Sequence, residues 1–165
     1  MESSEPASPA GRPDTSAVQD AFTPNEVIVP EGASLIPAAI FYPAGKTNEA
    51  KSVVEKVERI TPKFTKVAVV LNVQALASYD AKSDLKITVL SRTNARQIKA
   101  VFFLVEKPLD DTRRKTLVSE LEPKGIYFQE IPLQQIEKKA LYTDMLLGMV
   151  FFFDSQKPAR GETAA

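Results

Sequence analysis

Residues Ile98–Glu106 read IKAVFFLVE. The run is apolar from Ala100 to Val105 and dense in β-branched and aromatic residues. Such a segment suits a strand buried on both faces, the form that strands take in a sheet covered by helices on each side. Ile98, Val101, Phe102 and Val105 also fall on one helical stripe, so spacing alone leaves a helix open. The Val-Phe-Phe-Leu-Val content favours the strand, and this sheet member is the one around which the rest of the chain is arranged.

Upstream, Ser91–Gln97 (SRTNARQ) is a polar connection, and Leu85–Leu90 alternates Leu85, Ile87 and Val89 against Lys86 and Thr88. Alternation with period two predicts a strand with one wet face. Tyr79–Asp84 is a polar loop, and Lys66–Ala75 (KVAVVLNVQA) a further buried strand; the short loop suggests an antiparallel pair. Asn48–Ile60 is predicted as a helix. Thr47 or Asn48 caps it, Glu49 lies in its first turn, and Ala50, Val53, Val54, Val57 and Ile60 form one stripe. Thr61-Pro62 stops it. Leu35–Tyr42 (LIPAAIFY) is the first strand; Pro37 removes a backbone donor, which places the strand at an edge or starts it after Pro37.

Downstream, Lys107-Pro108 ends the central run. Asp110 caps a helix reaching about Leu121, with Leu117, Val118 and Leu121 inside. Gly125 suits a left-handed turn, and Ile126–Ile131 is a strand. A helix from Leu133 to Leu147 follows, with Ile136, Ala140, Leu141 and Met145 inside. Gly148 breaks it, and Met149–Phe153 (MVFFF) is a last strand. The order β-α-β-β-β-α-β-α-β predicts a single α/β domain over residues 26–154, with a mixed, mostly parallel sheet and helices packed on its faces. Residues 1–25 and 155–165 are polar and rich in Ser, Pro, Ala and charge, and are expected to be disordered tails. If residues 1–25 instead dock on a partner, Val18, Phe22 and Val27–Val29 are the anchors.

The 165-residue chain has neither cysteine nor histidine. That excludes disulfides, metal sites built on those ligands, cysteine nucleophiles and Ser-His-Asp triads. Acid–base work is left to Asp, Glu, Lys and Tyr. The formal net charge is zero, so composition gives no electrostatic ground for nucleic-acid binding. No apolar stretch is long enough to span a bilayer and no signal peptide is visible, so a cytoplasmic protein is expected.

Three segments merit attention as sites. Ala44–Asn48 (AGKTN) joins a strand to a helix N-terminus, where Lys46, Thr47 and Asn48 suit an anion. It resembles the end of a P-loop, but Ile40 stands where that loop needs a glycine. Arg92, Asn94 and Arg96 lie in the polar segment ending at Lys99 and suit a phosphate if they follow a strand end. Phe151, Phe152 and Phe153 form a protein interface if their strand is at an edge. Arg113-Arg114-Lys115 is a basic run offset by Asp110 and Asp111, and Asp80 with Asp84 is a sparse cation motif. The element order resembles response-regulator receiver domains. It lacks their acidic cluster, since the first strand ends Tyr42-Pro43-Ala44, and it lacks their phosphorylatable Asp after the third strand.

No catalytic residue, metal or cofactor is expected. The leading expectation is a non-catalytic interaction or regulatory module that binds another protein, or itself, through a sheet edge or helix face. The alternative is binding of a nucleotide or other phosphate-containing ligand through Gly45–Asn48 and Arg92–Lys99.

Overall fold

A computed structural model describes residues 22–60 and 69–155. Four strands, β1 (Ser34–Pro43), β2 (Val69–Tyr79), β3 (Ala100–Val105) and β4 (Tyr127–Pro132), alternate with four helices. These are α1 (Thr47–Ile60), α2 (Leu85–Arg96), α3 (Asp111–Leu121) and α4 (Lys139–Ser155). The sheet order is β2-β1-β3-β4, and every pairing is parallel.

The central run is the buried strand that its composition predicts: all six residues of β3 are buried. Its side chains alternate between two cores, as the pleat requires. Ala100, Phe102 and Leu104 join the apolar stripes of α1 and α4, including Val53, Val57, Met145 and Met149. Val101, Phe103 and Val105 join Leu85 and Val89 of α2 and Leu117 and Leu121 of α3. The result is a three-layer α/β/α domain. The helices change face where the chain reverses its course across the sheet, between β1 and β3, as right-handed crossovers demand.

Several details depart from the sequence reading. Leu85–Leu90 is not a strand but the first half of α2. Asp84 caps that helix, its Oδ1 accepting from Ile87 N at 3.1 Å, and Leu85, Val89 and Thr93 are buried at a spacing of four. Ile87, the residue that completed the alternation, is 64% exposed. The expected antiparallel pair therefore does not form, and the sheet is parallel rather than mixed. Met149–Phe153 is not a strand but the end of α4, which runs through Gly148. Residues 133–135 form a short 3₁₀ turn ahead of that helix.

Pro37 sits within β1, and β1 is an interior strand with β2 and β3 on either side, not an edge. The Pro37 carbonyl accepts from Lys99 N at 2.8 Å, on the side where β3 begins one residue later. In a parallel ladder a residue's N–H and C=O point the same way. The donor that Pro37 lacks would thus fall beyond the start of β3, so the ladder loses nothing.

Phe22 packs against the α1–α4 core, and Asn25 donates to Glu58 at 2.9 Å. Both fall within the segment expected as a tail. Residues 1–21, Val18 among them, and 156–165 lie outside the described residues. Ile28, an expected anchor, is 88% exposed.

Candidate functional site

The parallel strands direct their carboxyl ends, Pro43, Tyr79, Val105 and Pro132, to one end of the domain. There, at the switch point between β1 and β3, lies a crevice of about 600 Å³. Open α/β sheets hold ligands in this position. Tyr79, Asp80, Glu106, Lys107, Asp110 and Arg113 supply most of its polar lining. The Tyr79 ring stacks on Phe103 with centroids 4.5 Å apart, and its hydroxyl donates to the Leu104 carbonyl at 2.6 Å. Burial, with the nearby Glu106 and Glu130 carboxylates, raises its pKa well above the ordinary tyrosine value. It is a neutral structural donor at physiological pH.

The carboxylates of the crevice have local tasks. Asp80 Oδ1 accepts from Lys82 N at 2.8 Å and from Ser83 Oγ at 3.3 Å. Asp110 Oδ1 accepts from Arg113 N at 2.8 Å, capping α3. Arg114 is drawn to Glu130 and donates to the Leu109 carbonyl at 2.7 Å, fixing the loop before α3. Two helix N-termini, those of α2 and α3, thus carry their own Asp anions and have little to offer a phosphate. Asp84 Oδ1 is engaged in capping α2. Among the described residues, no group of three or more acidic, histidine or cysteine side chains assembles to hold a metal.

The three predicted segments occupy three different places. Lys46, Thr47 and Asn48 lie at the carboxyl end, on the turn into α1. Gly45 takes φ +89° there, and Lys46 pairs with Glu106 at 3.8 Å. Arg92, Asn94 and Arg96 lie on the last turns of α2, ahead of the amino end of β3. The six residues of β3 separate the two groups by roughly 20 Å at strand rise. They do not form one site. The premise for the second group, a strand ending at Leu90, fails because the segment is helical.

Phe151, Phe152 and Phe153 lie on the final turns of α4. Phe152 stands edge-on to Tyr127 at 5.6 Å, and Phe153 packs on the α1–α4 core. Phe151 turns outward and is 70% exposed; Leu147, one turn earlier, is 48% exposed. The sequence reading does not single out Leu147. A helical reading of 141–153 would have found it, four residues before Phe151.

No protein-family model and no curated protein sequence matches the chain. Among solved structures, a LacI family transcriptional regulator, CCPA from Weissella paramesenteroides with bound glucose, is similar over 57% of this chain and 31% of its own, at 19% identity and a TM-score of 0.39. A likeness of that degree says nothing of function.

Proposed function

We propose that this chain is a non-catalytic interaction module that binds another protein through the outer face of α4. The observation that carries this reading is the pair Leu147 and Phe151, 48% and 70% exposed and one helical turn apart. Two bulky apolar side chains stacked on one helix face are the anchors that helix recognition uses. The edge strand beside α4 is a poorer docking place. β4 is only six residues long and ends in Pro132, two devices that blunt strand addition. A photo-crosslinking amino acid placed at position 147 in cells that make the protein tests the reading. A discrete adduct is the expected result, and its absence at both 147 and 151 overturns the proposal.

A second reading rests on the crevice of about 600 Å³ at the switch point, which has the volume of a small-ligand site. Lys46 is near it through Glu106; Arg92 is not among the residues that line it. A thermal-shift panel of nucleotides, phosphates and sugars separates the readings. A ligand at about a hundredfold its Kd adds about 2.7 kcal/mol, several degrees in Tm. The interaction reading expects a flat panel. A shift lost in Lys46→Ala or Arg113→Ala establishes the ligand site.

A further inference from the structure

The segment Phe22–Asn25 is seated on the domain as a peptide ligand would be. Phe22 packs on the core shared by α1 and α4. Asn25 Nδ2 donates to Glu58 Oε1 at 2.9 Å, and the Asn25 carbonyl accepts from Asn72 Nδ2 at 3.0 Å. The seat itself is built by α1 and β2. The Glu58 carboxylate is held by the Val73 N–H at 2.7 Å and by Asn72 Nδ2 at 3.1 Å. The connection from this segment to β1 is slight. Residues 26–33 lie in no helix or strand, and nothing from Phe22 to Leu35 is buried.

One turn decides where the segment goes. The Ala33 N–H donates to the Pro30 carbonyl at 3.0 Å, and Gly32 takes φ +87°, as the third residue of such a turn must when it is left-handed. The turn sends the chain back over the domain's own edge. β1 starts at Ser34 opposite Val69, yet Asn25 meets Asn72, three residues further along β2. A Cβ added at Gly32 would meet nothing within 4 Å, so a side chain there acts on the backbone alone. With the turn opened, the eight residues 26–33 reach about 26–29 Å, far enough to carry Phe22 and Asn25 onto an adjacent molecule. Every contact of the segment is then remade on the partner, and only the connection distinguishes the two forms. The occupant is a second copy because the seat is filled by this very sequence. We infer that Phe22–Asn25 is an exchangeable element with Gly32 as its hinge: the seat on Glu58 and Asn72 takes the same segment of a second copy, in a closed two-fold dimer where each chain supplies Phe22 and Asn25 to the other.

Sedimentation velocity on the full chain, across a concentration series, tests the inference. In the wild type the tethered segment competes at about millimolar effective concentration, so a monomer is expected at micromolar levels. Gly32→Val, a side chain that the left-handed backbone disfavours, should bring the dimer in at concentrations about tenfold or more below the wild type. Adding Phe22→Asp and Asn25→Ala to Gly32→Val should restore the monomer, since both groups that enter the partner's seat are then gone. An excess of a synthetic peptide of residues 22–29 (FTPNEVIV) should dissolve the Gly32→Val dimer, and the same peptide with Ala for Phe22 and Asn25 should not. A Gly32→Val chain that stays monomeric as far as the wild type does overturns the inference. A dimer that persists without Phe22 and Asn25, or that ignores the peptide, overturns it as well. Should Gly32→Val lose its helix signal in circular dichroism, the wild type near about 1 mM decides: a dimer that Phe22→Asp removes upholds the exchange, and a monomer overturns it.

Discussion

The Glu58 carboxylate accepts a hydrogen bond from the backbone N–H of Val73 at 2.7 Å. Glu58 comes from α1, and Val73 lies on the edge strand β2, where the register skips from Val73 to Ala75 and leaves Gln74 as an extra residue. An edge strand leaves alternate backbone N–H groups without a ladder partner. Glu58 satisfies one of them and also accepts from Asn72 Nδ2 at 3.1 Å and Asn25 Nδ2 at 2.9 Å. A single carboxylate thus joins helix, bulged edge and N-terminal segment.

Glu58→Ala should cost about 1–3 kcal/mol, the usual consequence of leaving partly buried donors without an acceptor. Glu58→Gln, which keeps one acceptor oxygen, should cost less. Urea unfolding followed by circular dichroism measures both; equal losses would show that the carboxylate's second oxygen contributes nothing.

Gly148 lies inside α4, and a Cβ added there would stand 2.8 Å from the Tyr127 hydroxyl oxygen. Alanine raises helix propensity by about 1 kcal/mol over glycine, but Tyr127 must move and strain its bond to Gln129. Gly148→Ala should therefore destabilise the wild type, whereas in a Tyr127→Phe background the same change should stabilise by about 0.5–1 kcal/mol. A double-mutant cycle with no change of sign would refute the steric account.

Gln97 takes φ +55° at the end of α2, its N–H donating to the Thr93 carbonyl. This left-handed cap conformation suits glycine. Gln97→Gly should raise stability by about 1 kcal/mol and Gln97→Val should lower it, since the β-branched side chain clashes there. Thermal denaturation of the two variants would show opposite shifts in Tm.

Burial pushes the Tyr127 pKa up to about 12. Burial also raises those of Tyr79 and Tyr142, with help from nearby Glu106 and Glu130 for the first and Glu137 for the second. An unfolded tyrosine loses its proton near pH 10. Below that pH both states hold the proton and stability is unaffected by these groups. Above it the unfolded chain binds fewer protons than the folded one, so stability falls as pH rises. Denaturation midpoints should be insensitive to these tyrosines up to about pH 9 and fall between about pH 10 and 12. Tyr127→Phe should lessen the fall. A fall of the same size in Tyr127→Phe as in the wild type would contradict the prediction for Tyr127.

Phe103 packs with Phe41, Tyr79 and Phe128 in one of the two cores. Phe103→Ala should cost about 3–5 kcal/mol, because close-packed neighbours cannot collapse into the space. A loss under about 1 kcal/mol would mean that the layer is loosely packed.

Elements with local signals were legible in the chain. α1 follows its stripe of Ala50, Val53, Val54 and Val57, α3 its Asp110 cap, and the turn before β4 its left-handed Gly125. Sequence and structure part where short windows serve two periods. In Leu85–Val89, positions 85 and 89 are buried in a strand reading and in a helix reading alike. Only Ile87 distinguishes them, and its exposure is set by where the sheet lies. Gly148 reads as a breaker because glycine disfavours helices. In α4 it is the residue that lets Tyr127 approach, a reason that lies 21 positions away in the sequence.

The sequence by itself determined the α/β class, the buried central strand and the chemistry denied to a chain with no cysteine or histidine, because burial pattern and side-chain type are local properties. Only the tertiary structure decided that the sheet is parallel throughout and that β1 is interior despite Pro37. Only the tertiary structure put Lys46 and Arg92 at opposite ends of β3 and turned Leu147 and Phe151 outward together. Those outcomes depend on which element packs against which, and such contacts join residues far apart in the chain, where no local pattern records them.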